Sequence, residues 1–105
     1  MISKKTKYGL KALTYIARNP DQMVPIAQIA ERENIPHKFL ESILLLLRKS
    51  GFLGSKKGKG GGYYLLREGN EITVAAVFRA LEGPIAWLIT HFSPLNQYQK
   101  ATRTK

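Results

Sequence analysis

Cysteine is absent from the 105 residues, so neither a disulfide nor a thiolate metal site can be built from them. Acidic residues are scarce: 7 Asp and Glu stand against 17 Lys and Arg, which gives a formal net charge of +10. Such an excess of positive charge favours polyanionic partners, because lysine and arginine attract phosphates and displace their counterions. No segment approaches the roughly 18 apolar residues that span a bilayer, and no apolar stretch follows the basic N-terminus. We therefore expect a cytoplasmic protein that does not contact a membrane.

Catalytic and ligand-binding patterns are also missing. The two histidines, His37 and His91, lie far apart in the sequence, and the few acidic residues show neither catalytic nor metal-ligand spacing. The glycine-rich segment 58–62 fails the P-loop pattern because Lys59 is followed by glycine, and it fails the dinucleotide pattern at Tyr63. The sequence thus predicts neither an enzyme nor a bound cofactor.

The patterns that are present predict a single, mainly α-helical domain. Apolar residues at helical spacing indicate a helix over residues 4–18, which ends at Asn19 and Pro20. A second helix begins with Pro25 at its first helical position and continues to Glu33. After the turn at residues 34–36, a third helix runs from residue 37 or 38 to Ser50. A short helix, a turn and a longer helix form a helix-turn-helix.

A small β-hairpin is expected next. Two short apolar strands, 52–56 and 63–66, flank a tip in which residues 56–62 comprise three lysines and four glycines. Glycine lets the backbone turn and approach a partner closely, while lysine supplies charge for an anion. We interpret the hairpin as the wing of a winged helix-turn-helix. A fourth helix, capped by Thr73, ends near Glu82.

These elements predict where DNA binds. The exposed start of the third helix is placed to reach base edges in the major groove, and the wing is placed to contact phosphates or enter the minor groove. Lysine at the start of the first helix adds a phosphate contact. The candidate DNA-binding residues are His37, Lys38, Glu41, Ser42, Lys56, Lys57, Lys59, Gly60, Gly61 and Lys4.

Other interpretations stay open at this point. Leu45 and Leu46 either pack beneath another element or, with Trp87, present a patch for a protein partner. The charge suits structured RNA as well as DNA, and Glu41 can equally form an ion pair on the protein surface. We also expect Tyr63 and Tyr64 to alternate, with one side chain packed inward and the other facing solvent.

The order of these motifs resembles the Rrf-type family of bacterial transcription regulators, which contains IscR-like and NsrR-like proteins. The matching residues are 3–5 and 8, 29–32 and 35, 39–41, 47–51, 58–65, 72–74 and 81–84. The resemblance covers residues 1–84, the expected winged-helix domain. It implies a homodimer that binds a two-fold symmetric operator, usually as a repressor, with Lys38, Glu41 and Ser42 reading bases.

Three departures from the family pattern bear on function. Lys57 stands where the family commonly has an arginine, so positive charge is kept but the planar guanidinium fork is lost. Many relatives bind an iron–sulfur cluster through three cysteines, and these residues include none. Residues 85–105 are short beside the long dimerisation helix of relatives; we expect a dimer contact in 85–92 and a frayed end. The effector stays unknown.

Overall fold

The computed structural model describes residues 3–68 and 71–83. Within them, four helices and one antiparallel hairpin follow the predicted order. The elements are α1 (Lys4–Ala17), α2 (Ile26–Glu33), α3 (His37–Lys49), β1 (Leu53–Lys56), β2 (Gly62–Leu65) and α4 (Val74–Glu82). The expected winged helix-turn-helix is therefore confirmed, and most predicted boundaries agree to within one residue.

The helix ends follow from local chemistry, with one correction. The hydroxyl oxygens of Ser3 and Thr73 accept from the amides of Thr6 and Ala76 and cap α1 and α4. Pro25 is the N-cap of α2 and has an extended backbone, so it lies one residue before the helical position that we predicted. A proline ring fixes only φ, and the ψ of 147° keeps Pro25 outside the helix.

The turn between α2 and α3 depends on one left-handed residue. Asn34 has φ 57° and ψ 48°, a conformation that asparagine tolerates better than most residues. The amide of Ile35 then donates to the carbonyl of Ala30 at 3.0 Å, which closes the end of α2. Pro36 follows with φ −57° and is the N-cap of α3. The chain thus reverses quickly enough to pack α3 against α2.

One hydrophobic core joins the helices to the hairpin. Helix α1 lies at its centre and contacts α2, α3, α4 and β2. At Gly9 the helix α1 comes so close to α4 that an added Cβ would lie 2.4 Å from Leu81 Cδ1. The buried apolar residues of the described chain are Ala12, Leu13, Ile16, Val24, Ile29, Ile35, Leu40, Ile43, Leu44, Leu47, Phe52, Leu53, Val77 and Leu81.

The hairpin is tied to the helical core by a third extended segment. Val24 exchanges two backbone hydrogen bonds with Tyr63, at 2.9 and 2.8 Å, and so pairs with the outer edge of β2. The close approach requires Gly62 beside it, because a Cβ there would lie 2.5 Å from the Val24 carbonyl carbon. The base of the wing is therefore held on both sides.

Two predictions about side chains are tested here. Tyr63 packs against the core and Tyr64 does not, so the predicted alternation is confirmed, although both side chains are half-buried. Tyr64 folds across the strand pair onto Gly54, which has no side chain to exclude the ring. Leu46 packs partly against the core, whereas Leu45 is 41% exposed. The predicted segments at 85–92 and 97–105 lie outside the described residues.

Candidate nucleic-acid interface

The first two turns of α3 divide into a buried and an exposed side. Leu40, Ile43 and Leu44 are buried, which fixes how the helix sits on the core. All four residues that we predicted here as DNA contacts are exposed: His37, Lys38, Glu41 and Ser42. The start of the helix is therefore free to meet a partner while its other side is held by hydrophobic packing.

Glu41 is paired in the unbound protein. Its Oε1 lies 3.3 Å from Nδ1 of His37, four residues earlier, and both side chains are more than half exposed. Pairs of this spacing on a helix surface contribute only about 0.2–0.5 kcal/mol. The contact holds the carboxylate in place without preventing a base from displacing it.

The hydroxyl of Ser42 also forms a hydrogen bond within the protein. It donates to the carbonyl of Phe39 at 2.9 Å, a bond within the same helix. With its proton used there, the oxygen is an acceptor for outside groups. In this rotamer Ser42 suits the amino group of cytosine or adenine better than it suits an acceptor such as guanine O6.

The wing exposes its lysines on a short, ordered tip. Residues 57–61 connect Lys56 and Gly62, the last pair of the β1–β2 register. The carbonyl of Gly58 accepts from the amide of Gly61 at 3.0 Å, and Gly60 between them has φ +77°. A turn with positive φ at its third position favours glycine. Lys56, Lys57 and Lys59 are all exposed on this frame.

The same turn changes the role expected for Gly61. We predicted Gly61 as a DNA-binding residue, but its amide already donates to the carbonyl of Gly58 inside the loop. An added Cβ on Gly61 would lie 2.1 Å from the carbonyl oxygen of Lys56, so glycine is needed there for space. Gly61 therefore shapes the tip, and the lysine side chains are left as the groups that face outward.

The start of α1 forms a third exposed cationic element. Lys4 and Lys5 are exposed and line one side of a groove whose other side is the start of α3. Ser3 and Thr6 donate from their hydroxyls to Glu82 at the end of α4, with Thr6 Oγ1 at 2.8 Å from the carboxylate. These hydrogen bonds, that from Ser3 foremost, together with the charge of Lys5, lower the pKa of Glu82 despite its partial burial.

Sequence reasoning missed Glu82 and Phe39 as parts of this surface. Ser3 before a helix is a recognisable capping residue, but nothing in the sequence links it to a carboxylate 79 positions later. The exposure of Phe39 in the first turn of α3 becomes evident only once the buried side of that helix is known. Lys11 on α1 is engaged within the protein, since its ammonium group donates to the carbonyl of Glu33 at 2.7 Å and completes the end of α2.

The positive charge of the wing and of the start of α3 is not compensated by nearby carboxylates. The carboxylate of Glu41 on α3 lies next to His37 rather than next to a lysine. The lysines at positions 38, 56, 57 and 59 have no carboxylate partner within residues 3–68 and 71–83. Each of them can release counterions from a phosphate without first breaking a contact in the protein.

Comparison with known proteins finds one family throughout. The sequence profile described as "Rrf2: Iron-dependent Transcriptional regulator" matches residues 2–104. An rrf2-like HTH-type transcriptional regulator of Rhodobacter capsulatus is 43% identical over 90 residues, which cover 82% of this chain and 60% of the relative. The HTH-type transcriptional regulator IscR of Serratia proteamaculans is 37% identical over 82 residues, or 77% of this chain and 50% of that protein.

Solved structures agree with the sequence relatives. T. potens IscR has a TM-score of 0.74 at 37% identity, covering 79% of this chain and 61% of that one. CymR, the global cysteine regulator of B. subtilis, has a TM-score of 0.77 at 28% identity, covering 96% of this chain and 87% of its own. The chain spans about half to three fifths of the length of the curated relatives that it matches.

The iron dependence in the profile's description does not fit the residues at hand. The 105 residues contain no cysteine. Among the described positions, no group of three His, Asp or Glu side chains is arranged to hold a metal ion.

Within residues 3–68 and 71–83, no helix is long and apolar enough to cross a membrane.

Proposed function

The chain belongs to the Rrf2 family of transcriptional regulators, and we propose that it regulates transcription by binding duplex DNA in the cytoplasm. The start of α3 enters the major groove, the wing tip contacts the minor groove or its phosphates, and the start of α1 meets the flanking backbone. One observation carries this proposal. Lys38, Lys57 and Lys59 are exposed without carboxylate partners among the described residues, at the two elements through which a winged helix contacts DNA.

The dependence of affinity on salt tests this binding mode. A labelled duplex is titrated by fluorescence anisotropy at several salt concentrations, and log K falls with log[salt] by about 0.9 per phosphate contact. Lys57→Ala combined with Lys59→Ala weakens binding to all sequences and makes the slope shallower by up to about 1.8. A salt-independent affinity would refute the proposal.

A matched variant separates local contacts from net charge. Arg48→Ala combined with Lys49→Ala removes the same two charges from exposed positions at the far end of α3. That end lies roughly 17 Å from the helix start, at 1.5 Å per residue. The wing variant must therefore lose more affinity than this control.

Competition by duplex RNA of the same sequence tests whether a helix enters the major groove. The narrow major groove of RNA excludes a helix, so the RNA should compete poorly with DNA for the protein.

Base reading by the third helix is tested by selection from random duplex DNA. Glu41 accepts from cytosine, and Ser42 accepts from a cytosine or adenine amino group. Glu41→Ala changes the selected sequence at one position per half-site and leaves the salt slope intact. An unchanged selection profile would restrict Glu41 to its contact with His37.

We further propose that the DNA-bound form is a homodimer acting as a repressor. Each copy, with its formal charge of +10, then covers one half-site. Selected sequences form an inverted repeat with half-site centres about 34–36 Å apart, one turn of DNA. A promoter that contains this repeat is transcribed less when the protein is added. Selection of a single, asymmetric site would argue for a bound monomer.

Regulation of these 105 residues by a cysteine-ligated cluster is not part of the proposal, because no thiolate is present to hold one. We propose that no cofactor is needed for DNA binding. An iron chelator accordingly leaves the affinity of the purified chain for its selected duplex unchanged. A loss of affinity on chelation would show that a metal contributes through other ligands.

A further inference from the structure

Phe39 is an aromatic residue on the surface where a polar one is expected. It is 60% exposed, more than any other large apolar side chain within residues 3–68 and 71–83. It lies in the first turn of α3, next to Lys38 and three residues before Ser42. Packing against residues 3–68 and 71–83 does not explain a ring at this position.

The surroundings of Phe39 combine an apolar wall with a cationic rim. A groove of about 450 Å³ separates the start of α3 from the start of α1, and it is lined by Lys4, Lys5, Tyr8, Pro36, Phe39, Ser42 and Ile43. Two lysines at the rim favour an anionic occupant. They oppose a second copy of this chain, because the symmetric arrangement would bring four ammonium groups together.

The major groove of DNA offers one apolar group, the C5-methyl of thymine, amid the polar base edges. Resting on the proposed DNA binding, we propose that Phe39 reads thymine by packing its ring against that methyl group. Lys4 and Lys5 contact phosphate beside it. Phe39 is then a specificity-determining residue, and it selects thymine by apolar contact at a position that hydrogen-bond donors and acceptors on α3 do not read.

Deoxyuridine provides the direct test, because it differs from thymidine only in lacking this methyl group. In a duplex obtained by selection, each thymine is replaced in turn by uracil, and the affinities of the unmodified protein and of Phe39→Ala are measured. At one position per half-site, uracil weakens binding of the unmodified protein about 4-fold, the value for one buried methyl-sized group. Phe39→Ala binds the thymine and uracil duplexes equally at that position.

Leu45→Ala is the matched control, since Leu45 is also an exposed apolar residue of α3, at 41% exposure and farther from the helix start. It retains the full uracil effect. Thermal unfolding shows whether Phe39→Ala is folded, which the exposure of the ring leads us to expect.

The outcomes separate this inference from the proposed function. Salt-dependent binding with no uracil effect refutes the thymine contact and leaves DNA binding intact, whereas failure to bind any duplex refutes both. A uracil effect that persists in Phe39→Ala assigns the methyl to another residue. If Phe39→Ala instead changes the oligomeric state with the uracil effect unaltered, the groove is a protein contact and the inference is wrong.

Discussion

Removing the carboxylate of Glu82 tests how the start of α1 is held. Glu82 ends α4 and accepts from the hydroxyls of Ser3 and Thr6, so it connects the last described helix to the first. Thr6 is fully buried, and replacing Glu82 by alanine would remove an acceptor of its hydroxyl. Glu82→Ala therefore removes two hydrogen bonds and leaves a buried hydroxyl with a poorer partner.

The magnitude follows from those two bonds. A hydrogen bond to a charged group contributes about 1.5–3 kcal/mol when buried and nearer 1 kcal/mol when water can replace it. Glu82 is half-buried, so we expect Glu82→Ala to lower the free energy of unfolding by about 2 kcal/mol. For a domain of this size that corresponds to a decrease in Tm of roughly 8–16 °C. Glu82→Gln keeps a neutral acceptor and should lose about half as much.

The pH dependence has a definite sign. Because folding lowers the pKa of Glu82, the unfolded state binds the proton more tightly than the folded state does. The stabilisation is fully present above the ordinary glutamate pKa of about 4.3 and is lost as the pH falls through the lower, folded-state pKa. Urea unfolding at pH 7 and below pH 4 should therefore show the difference between unmodified protein and Glu82→Ala shrinking in acid.

DNA affinity distinguishes positioning from charge. If Glu82 acts only through its negative charge, both Glu82→Ala and Glu82→Gln bind DNA more tightly, because repulsion of phosphate is removed. If Glu82 positions Lys4 and Lys5, Glu82→Ala binds less tightly than unmodified protein, while Glu82→Gln binds at least as well. Glu31→Ala, an exposed glutamate on α2, controls for the charge change. Tighter binding by Glu82→Ala, or a stability change below 0.5 kcal/mol, roughly the effect of an ordinary surface substitution, would refute this reasoning.

Two further predictions concern the wing and α3. Gly62→Ala should destabilise the protein by at least about 2 kcal/mol, because Gly62 has a φ of +155° and an added Cβ would press on the backbone of Val24. Gly60 has open space around it, so Gly60→Ala should cost about 1 kcal/mol for its positive φ alone. Equal losses of stability for the two variants in urea unfolding would contradict this prediction. Leu44→Ala should cost about 2–5 kcal/mol as a cavity in the core, against less than about 0.5 kcal/mol for Leu45→Ala. Similar Tm values for Leu44→Ala and Leu45→Ala would contradict the burial of Leu44 in the core.

The fold was predictable because its signals are local. Proline and glycine mark the ends of α1 and α3, and the spacing of Leu40, Ile43, Leu44 and Leu47 identifies the buried side of α3. The wing followed from the lysine and glycine content of its tip. Family resemblance agreed with each of these signals.

What sequence reasoning missed depends on contacts between distant residues. The strand pattern alone does not reveal that Tyr64 covers Gly54, because the ring uses space left by a residue on the partner strand. The amide of Gly61 is used within its own turn, which depends on the conformation of the loop. Glu82 joins Ser3 only after α1 and α4 have packed. Phe39 stands out only once the side of α3 that faces the core is established.

The elements proposed to face DNA depend on one another through α1, and this separates two kinds of variant. Helix α1 contacts α3, α4 and β2, so a change that loosens it, such as Glu82→Ala, lowers stability and DNA affinity together. Lys57 and Lys59 project from an exposed tip and support nothing beneath them, so their loss lowers affinity and leaves Tm unchanged. Phe39 belongs with the lysines by its exposure, although it acts through apolar contact. A plot of affinity against Tm for these variants should therefore contain two branches, and a single line through all of them would mean that folding alone controls binding.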